Sequence, residues 1–185
     1  ILCIPGEKEL TGKGMGLNAP RDAAAYTGKN IYVVGGADGA VKEALYLSSF
    51  ARKLTIIHFE DQLGCIPEFR QKVAAAGNIT LKLSSRLHAV YGQNQVERLE
   101  IASEQDGSIE TIEDPGCGIF VYAGVTPNTQ MYGQLTLQDG YIVTNEKMET
   151  SIPGVYAAGD IRVKQVRQVA TAVSDGAIAA INAAL

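Results

Sequence analysis

The sequence predicts an α/β chain, and three observations lead to that prediction. An apolar run at 30–34 is followed by a glycine-rich turn, a helical pattern and a second apolar run at 54–58, which is the order of a parallel sheet. Three alternating segments in the middle of the chain predict an antiparallel β-meander. A short apolar strand at 155–158 precedes a C-terminal helix. We therefore expect a Rossmann-like nucleotide-binding domain, with a parallel sheet plus the meander, followed by a further α/β segment.

The individual elements follow from local patterns. Residues 1–29 form a leading segment rich in glycine and lysine, and the β-branched run at 30–34 predicts a buried strand. Apolar or small residues at helical spacing predict a helix over 41–50. The later predicted elements are a strand at 54–58, a helix at 67–76, meander strands at 78–90, 95–103 and 108–112, strands at 119–124, 141–143 and 155–158, and a helix from Arg167 to Leu185.

Composition and charge limit the functional classes. The chain has 185 residues, of which 46% are hydrophobic, and a formal net charge of −4, which favours neither a nucleic-acid nor a membrane partner. No apolar run approaches the roughly 18 residues of a membrane span. Cys3, Cys65 and Cys117 are widely spaced, which argues against a disulfide framework or metal site and favours the cytoplasm. Because the chain starts at Ile1 rather than methionine, we expect a fragment of a longer protein.

The turn after the first predicted strand resembles a dinucleotide-binding G-x-G-x-x-G turn, in which the second glycine lets the backbone approach a pyrophosphate. Here the turn consists of Gly35, Gly36, Ala37, Asp38 and Gly39. Its first glycine is intact, but the methyl group of Ala37 would crowd the phosphate. The turn is a weak signal by itself, and together with the flanking strand–helix–strand order it predicts nicotinamide-nucleotide binding.

The second predicted strand ends in His58-Phe59-Glu60. An acidic side chain at this place accepts hydrogen bonds from an adenosine ribose diol and repels a 2′-phosphate. If a dinucleotide binds, Glu60 therefore favours NADH over NADPH. The alternative interpretation is a solvated charged loop, and His58 is interpreted as a structural residue.

The C-terminal part of the chain carries a different signal. Gly159-Asp160 ends a short strand shortly before a helix that begins near Arg167-Gln168. A carboxylate at the end of a parallel strand, beside a helix N-terminus, suits a polyol chain and an electron-rich ring. This pattern indicates a site for the ribityl chain and pyrimidine edge of FAD, and hence redox chemistry.

Several motifs in this order resemble one family. They are Val33-Val34-Gly35-Gly36, Glu43-Ala44-Leu45-Tyr46-Leu47, Ala157-Ala158-Gly159-Asp160 and Arg167-Gln168-Val169. The chain resembles the low-molecular-weight thioredoxin reductases, FAD-dependent pyridine nucleotide-disulfide oxidoreductases. The resemblance implies that 1–117 is an inserted NAD(P)-binding-type domain with its leading segment, and that 118–185 is the C-terminal half of a discontinuous FAD-binding domain. It also implies a homodimer in the full-length protein.

The resemblance further implies roles in flavin binding. Asp160 would bond the ribityl chain, and Gly159 would let the backbone approach it. Backbone groups of Gln168 and Val169 would contact the pyrimidine edge, and the positive end of the helix dipole would stabilise the reduced flavin. Arg167 is interpreted either as part of this region or as a surface residue.

The sequence departs from this family at two sites: the one where electrons enter from NADPH and the one where they leave to thioredoxin. The C-x-x-C pair that reduces thioredoxin falls at Asn18 and Arg21, which cannot form a disulfide. The arginines that clasp the 2′-phosphate of NADPH are replaced by Phe59, Glu60 and Gly64. We therefore expect no thioredoxin reduction by the dithiol route and weak NADPH binding.

The combined prediction is a flavin-dependent oxidoreductase that passes electrons through FAD, from NADH in preference to NADPH, to a disulfide or another acceptor. That acceptor would be a small redox protein or a small molecule. Two alternatives have a non-functional nicotinamide site: an enzyme driven by a ferredoxin-type protein donor, or a non-catalytic binding module. A further alternative is that a partner chain supplies the missing cysteines.

Overall fold

The computed structural model describes residues 2–124 and 126–184, and the chain divides into two compact units that span 1–124 and 125–185. The elements of the first unit are β1 (Met15–Gly16), α1 (Ala19–Asp22), a 3₁₀ turn (Ala23–Tyr26), β2 (Asn30–Val34), α2 (Asp38–Ser48), β3 (Lys53–Ile57), α3 (Pro67–Ala75), β4 (Ile79–Lys82), β5 (Ser85–Tyr91), β6 (Arg98–Ser103), β7 (Ile109–Glu113) and β8 (Gly118–Val121).

A five-stranded parallel sheet of order β1-β8-β2-β3-β4 forms the centre of this unit, and β5, β6 and β7 form a separate antiparallel sheet. The predicted α/β class, with a parallel sheet plus a meander, is confirmed. Strand β2 lies in the middle and pairs with β3 and β8. Its apolar run is continuous because both faces are covered, as is usual for parallel sheets.

Alternation along the strands divides the core between two apolar clusters. Ile31 and Val33 of β2 pack in one cluster with Val41 and Leu47 of α2. Their neighbour Tyr32 lies in the other cluster, which includes meander residues such as Leu87, Leu99 and Ile101. Because successive side chains of a strand point to opposite faces, β2 joins both clusters and fixes the positions of the loops at its end.

One sequence-based prediction for the first unit is wrong. The segment 78–90 does not form one meander strand: Ile79–Lys82 pairs in parallel with β3, and only Ser85–Tyr91 enters the antiparallel sheet. Ser84 separates them, with a left-handed φ of 47° that breaks the extended chain. The leading segment also contains β1 and α1, and β1 pairs with β8.

The second unit has few regular elements. They are a 3₁₀ turn (Gln130–Tyr132), β9 (Leu137–Gln138), β10 (Tyr141–Ile142), a second 3₁₀ turn (Gly159–Ile161) and α4 (Val169–Ala183). The strand predicted at 155–158 is wrong, because within the described residues Tyr156 makes only an isolated antiparallel bridge to Glu149. Among the helices of both described ranges, none is long and apolar enough to cross a membrane.

The two units divide the chain seven residues later than the boundary predicted at 117/118. Strand β8 follows that boundary but pairs with β1 and β2, so it belongs to the sheet of the first unit. The assignment of 118–185 to half of an FAD-binding domain stays a prediction.

Candidate functional site

A cleft of about 500 Å³ opens in the first unit where the carboxyl ends of β2, β3 and β8 meet. In open α/β sheets, ligands bind outside these strand ends. The loops after the three strands and the start of β5 line the cleft, together with two residues of the leading segment. The residues that line it include Gly35, Gly36, Ala37, His58, Phe59, Glu60, Gly64, Arg86 and Tyr122. Asp38 and Gly39 of the predicted turn lie in the first turn of α2.

Two glycines after β2 are required by close packing. Gly35 has a φ of +131°, and a Cβ there would lie 2.5 Å from the carbonyl oxygen of Tyr122. A Cβ on Gly36 would lie 2.4 Å from Cδ2 of the His58 ring. No side chain fits at either position without movement, so the turn lets the ends of β2, β3 and β8 approach one another closely.

His58 connects this turn to Glu60. The His58 side chain is 5% exposed, and its Nε2 lies 3.0 Å from Oε2 of Glu60, whose side chain is 51% exposed. Within the described residues, the buried Nδ1 atom of His58 has no hydrogen-bond partner. This geometry fits the tautomer that donates from Nε2 to the carboxylate. His58 thus orients one oxygen of Glu60, a link that the sequence pattern did not indicate.

The cleft also contains a basic residue that the sequence analysis missed. Arg86 of β5 places its guanidinium 4.5 Å from the centre of the Phe59 ring and bonds Glu104 through Nε at 2.6 Å. It is far from Phe59 in sequence, and no local motif signals that the two side chains meet. Phe59 and Gly64, which replace family arginines, line the same cleft.

In the second unit, the predicted flavin-binding residues lie at the start of α4 and in the preceding 3₁₀ turn. Gly159 has a φ of +82°, and the Asp160 side chain is exposed. Helix α4 begins at Val169 with Gln168 as its N-cap residue, so the predicted start near Arg167-Gln168 is accurate to about two residues. Val169 is 82% exposed. A turn without a Cβ, an exposed carboxylate and a solvent-exposed helix N-terminus, capped by Gln168 and Thr171, fit a polyol chain and the edge of a flavin ring.

A buried ionic cluster holds the Gly159 turn against α4. Asp175 accepts two hydrogen bonds of 2.7 Å from Arg162, one of 2.7 Å from Lys164 and one of 3.1 Å from the Gly159 N–H. Its side chain is 6% exposed, and that of Lys164 is 7% exposed. The hydrogen bonds from Arg162, with those of Lys164 and Gly159, hold the pKa of Asp175 well below its usual range. The sequence analysis did not identify this cluster, because Asp175 lies 11 to 16 residues along the chain from its partners.

Arg167 packs against an aromatic ring. Its guanidinium lies 4.0 Å from the centre of the Tyr141 ring, and its buried Nε has no hydrogen-bond partner among the described residues. Arg167 is only partly exposed, so its charged group is positioned by stacking before any ligand binds.

The positions of the missing C-x-x-C pair form a capped turn. Asn18 accepts a hydrogen bond of 3.0 Å from the Arg21 N–H, and Arg21 bonds Asp22 at 2.6 Å. The Arg21 hydrogen bond is the main reason that the pKa of Asp22 lies well below its usual range. Cys65 and Cys117 are buried, and burial raises the pKa of the Cys117 thiol to about 12. The described residues therefore place no thiol pair at this turn.

Comparison with known proteins gives a consistent family assignment. The family model described as pyridine nucleotide-disulphide oxidoreductase matches residues 1–176. The thioredoxin reductase of Peptoclostridium acidaminophilum is 42% identical to this chain. The match covers 97% of this chain and 59% of that protein. The structure of Lactococcus lactis thioredoxin reductase in its FR conformation is 34% identical, with a TM-score of 0.92 over 100% of this chain and 61% of that one.

A ferredoxin-flavin thioredoxin reductase of Clostridium acetobutylicum is also similar in structure. It is 30% identical, with a TM-score of 0.50, and the match covers 97% of this chain and 57% of that one. The chain thus spans about three fifths of the length of the relatives that it matches.

Proposed function

Because this chain belongs to the pyridine nucleotide-disulphide oxidoreductase family, we propose that it is part of an FAD-dependent oxidoreductase that resembles thioredoxin reductase. We place a nicotinamide nucleotide in the cleft of the first unit and FAD at the Gly159 turn and the start of α4. When bound, FAD supplies reversible hydride and electron transfer. The choice of NADH as electron donor rests on a single observation, the position of Glu60 just after the carboxyl end of β3.

Glu60 supports NADH rather than NADPH as that donor. His58 engages Oε2 of its carboxylate, and in the described part of the chain Oε1 makes no hydrogen bond. That oxygen is available to accept a hydrogen bond from a ribose hydroxyl. A 2′-phosphate at the same place would meet a negative charge, and the nearby cation of Arg86 is compensated by Glu104.

The residues of this chain would hold FAD in place rather than react with it. Asp160 would accept hydrogen bonds from ribityl hydroxyls, and Gly159 would allow the backbone close approach. The Val169 N–H and other backbone atoms of Gln168, whose own N–H donates to Oγ1 of Thr171 at 3.2 Å, lie at the positive end of α4. They would face the pyrimidine edge, and this end of the helix would stabilise negative charge there. Arg167, held on Tyr141, would add a fixed positive charge beside this helix end.

In our proposal, electrons do not reach their acceptor through a dithiol on this chain. Asn18 and Arg21 occupy the C-x-x-C positions, and Arg21 engages Asp22 in an ion pair. Electrons would therefore pass from reduced flavin directly to a small redox protein or a small molecule. A homodimer and a cytoplasmic location remain predictions from the resemblance and from the cysteine pattern.

A second candidate function has its own support. Ala37 replaces the glycine that lets a pyrophosphate approach, and the likeness to a ferredoxin-flavin thioredoxin reductase suggests a protein electron donor. In this version the nicotinamide site is closed, and a ferredoxin-type protein reduces the flavin.

We expect NADH to reduce the FAD-loaded full-length protein faster than NADPH does. The reason is that Glu60 accepts the ribose diol of NADH and repels the 2′-phosphate. Flavin absorbance in the absence of oxygen, after mixing with NADH, NADPH or reduced ferredoxin, measures the three rates. Reduction by ferredoxin alone would favour the second candidate and contradict our proposal.

A further inference from the structure

The ionic cluster behind the Gly159 turn contains one cation more than its charge balance requires. Arg162 and Lys164 share the single carboxylate of Asp175, and the three side chains are 16%, 7% and 6% exposed, respectively. Among residues 126–184, neither cation lies within ion-pair distance of another carboxylate. The cluster therefore carries one uncompensated positive charge at a largely buried place.

A cluster that only held the turn in place would need one cation rather than two. Arg162 already bonds both oxygens of Asp175, through Nε and Nη2 at 2.7 Å each, and the Gly159 N–H bonds one of them at 3.1 Å. These contacts join the Gly159 turn to α4 without Lys164. Because a buried charge without a counterion is costly, the surplus cation indicates a negative charge that arrives with a ligand.

Lys164 lies close to the part of the chain to which we assign the flavin. Its Nζ atom and the Gly159 N–H donate to the same carboxylate oxygen, Oδ2 of Asp175, at 2.7 and 3.1 Å. The surplus of one positive charge persists across the proposed flavin site, because Arg167 adds a cation and Asp160 adds a carboxylate. Uptake of two electrons and one proton leaves a neutral flavin ring with one negative charge, which nearby protein charges stabilise.

Given the proposed position of FAD at the Gly159 turn, on which this inference rests, we infer that the buried charge of Lys164 raises the reduction potential of the bound flavin. The cation stabilises the reduced, negatively charged ring more than the oxidised, neutral ring. Its effect is strong because Lys164 is shielded from water, in which a charge at the same distance would be screened. Lys164 acts through its charge and is not a catalytic residue.

The midpoint potential of FAD in the full-length protein, measured without oxygen against a reference dye, tests this role. Lys164→Met removes the charge, keeps an apolar side chain of similar length and leaves Arg162 and Asp175 as a balanced pair. We expect the equilibrium constant for two-electron reduction to fall on the order of tenfold, which corresponds to a potential lower by about 30 mV. Because the variant removes an uncompensated buried charge, hydrogen exchange in α4 should not accelerate.

Two further variants separate the buried charge from other effects. Lys164→Arg keeps the charge, so its potential should stay close to that of the wild type. Lys147→Met removes an exposed cation from the same unit. Because water and salt screen an exposed charge, this control should leave the potential unchanged.

The outcomes distinguish the role of Lys164 from the proposed function. Equal potentials of bound FAD in the wild type and in Lys164→Met would overturn the role of Lys164 and leave the flavin proposal intact. Weaker FAD binding without a change in potential would also overturn it, because the charge would then act on the pyrophosphate. Faster hydrogen exchange in α4 without a change in potential would show that Lys164 is structural and overturn it as well. A folded full-length protein that binds no FAD would overturn both.

Discussion

Replacing Glu60 with arginine is expected to raise the affinity for NADPH relative to NADH on the order of 100-fold. The change adds a charge-assisted hydrogen bond to the 2′-phosphate, worth about 1.5–3 kcal/mol, and it removes a carboxylate that repels the same phosphate. Parallel titrations of the wild type and of Glu60→Arg with both nucleotides measure this ratio.

Two further variants test whether the change in nucleotide preference comes from charge beside the 2′-phosphate. Glu60→Gln keeps the shape and removes the charge, so we expect it to weaken the discrimination without producing a preference for NADPH. Gly64→Arg adds a guanidinium where a Cβ would lie 3.7 Å from Oε2 of Glu60, an ordinary contact, and it should also favour NADPH. An unchanged ratio in both arginine variants would mean that the ribose does not lie beside Glu60.

Replacing Asp175 with asparagine is expected to destabilise the second unit by roughly 3 kcal/mol. The largely buried cations of Arg162 and Lys164 would lose their shared carboxylate, and removing one partner of a buried ion pair typically costs about 3–5 kcal/mol. Hydrogen exchange of peptides from α4 and the Gly159 turn, followed by mass spectrometry, measures this loss locally.

The pH dependence of the same region follows from the lowered pKa of Asp175. The stabilisation is complete above the pKa of an unfolded aspartate, about 3.9, and is lost as the pH falls through the lower folded value. Protection of the α4 amides, measured relative to their intrinsic exchange rate at each pH, should therefore fall below about pH 4 in the wild type and depend less on pH in Asp175→Asn.

Glu68→Gln is the matched control for the buried cluster. Glu68 pairs with Lys72 at 2.6 Å, but both side chains are more than half exposed, and such surface pairs contribute little. We expect no measurable change in α4 exchange. An effect of Asp175→Asn as small as that of Glu68→Gln would contradict the structural role of the cluster.

The parallel part of the fold could be predicted because its signals are local. The run at 30–34, the glycine turn and the helical spacing of α2 lie within twenty residues, and the resemblance that they carry to thioredoxin reductases is confirmed. Strand β4 was misassigned because its own sequence does not specify which sheet it joins. That choice depends on Ser84, whose left-handed backbone directs the next strand to the meander.

The candidate sites were predictable only in part, for a related reason. Gly35, Gly36 and Glu60 follow predicted strands, so the sequence placed them at one edge of the sheet, where the structure brings them together. Arg86 and Asp175 act through contacts with residues distant along the chain. Their types, an arginine in a strand and an aspartate in a helix, carry no signal of such contacts. The ligands that the sites bind remain predictions.

The most direct test of the central claim is equilibrium titration of the wild-type chain with NADH and, separately, with NADPH. The cleft lies within the first unit, so the measurement does not require bound FAD. We expect saturable binding of NADH and binding of NADPH that is at least tenfold weaker, because the 2′-phosphate makes one unfavourable contact. Equal affinities, tighter binding of NADPH, or no binding of either nucleotide by a folded chain would contradict it.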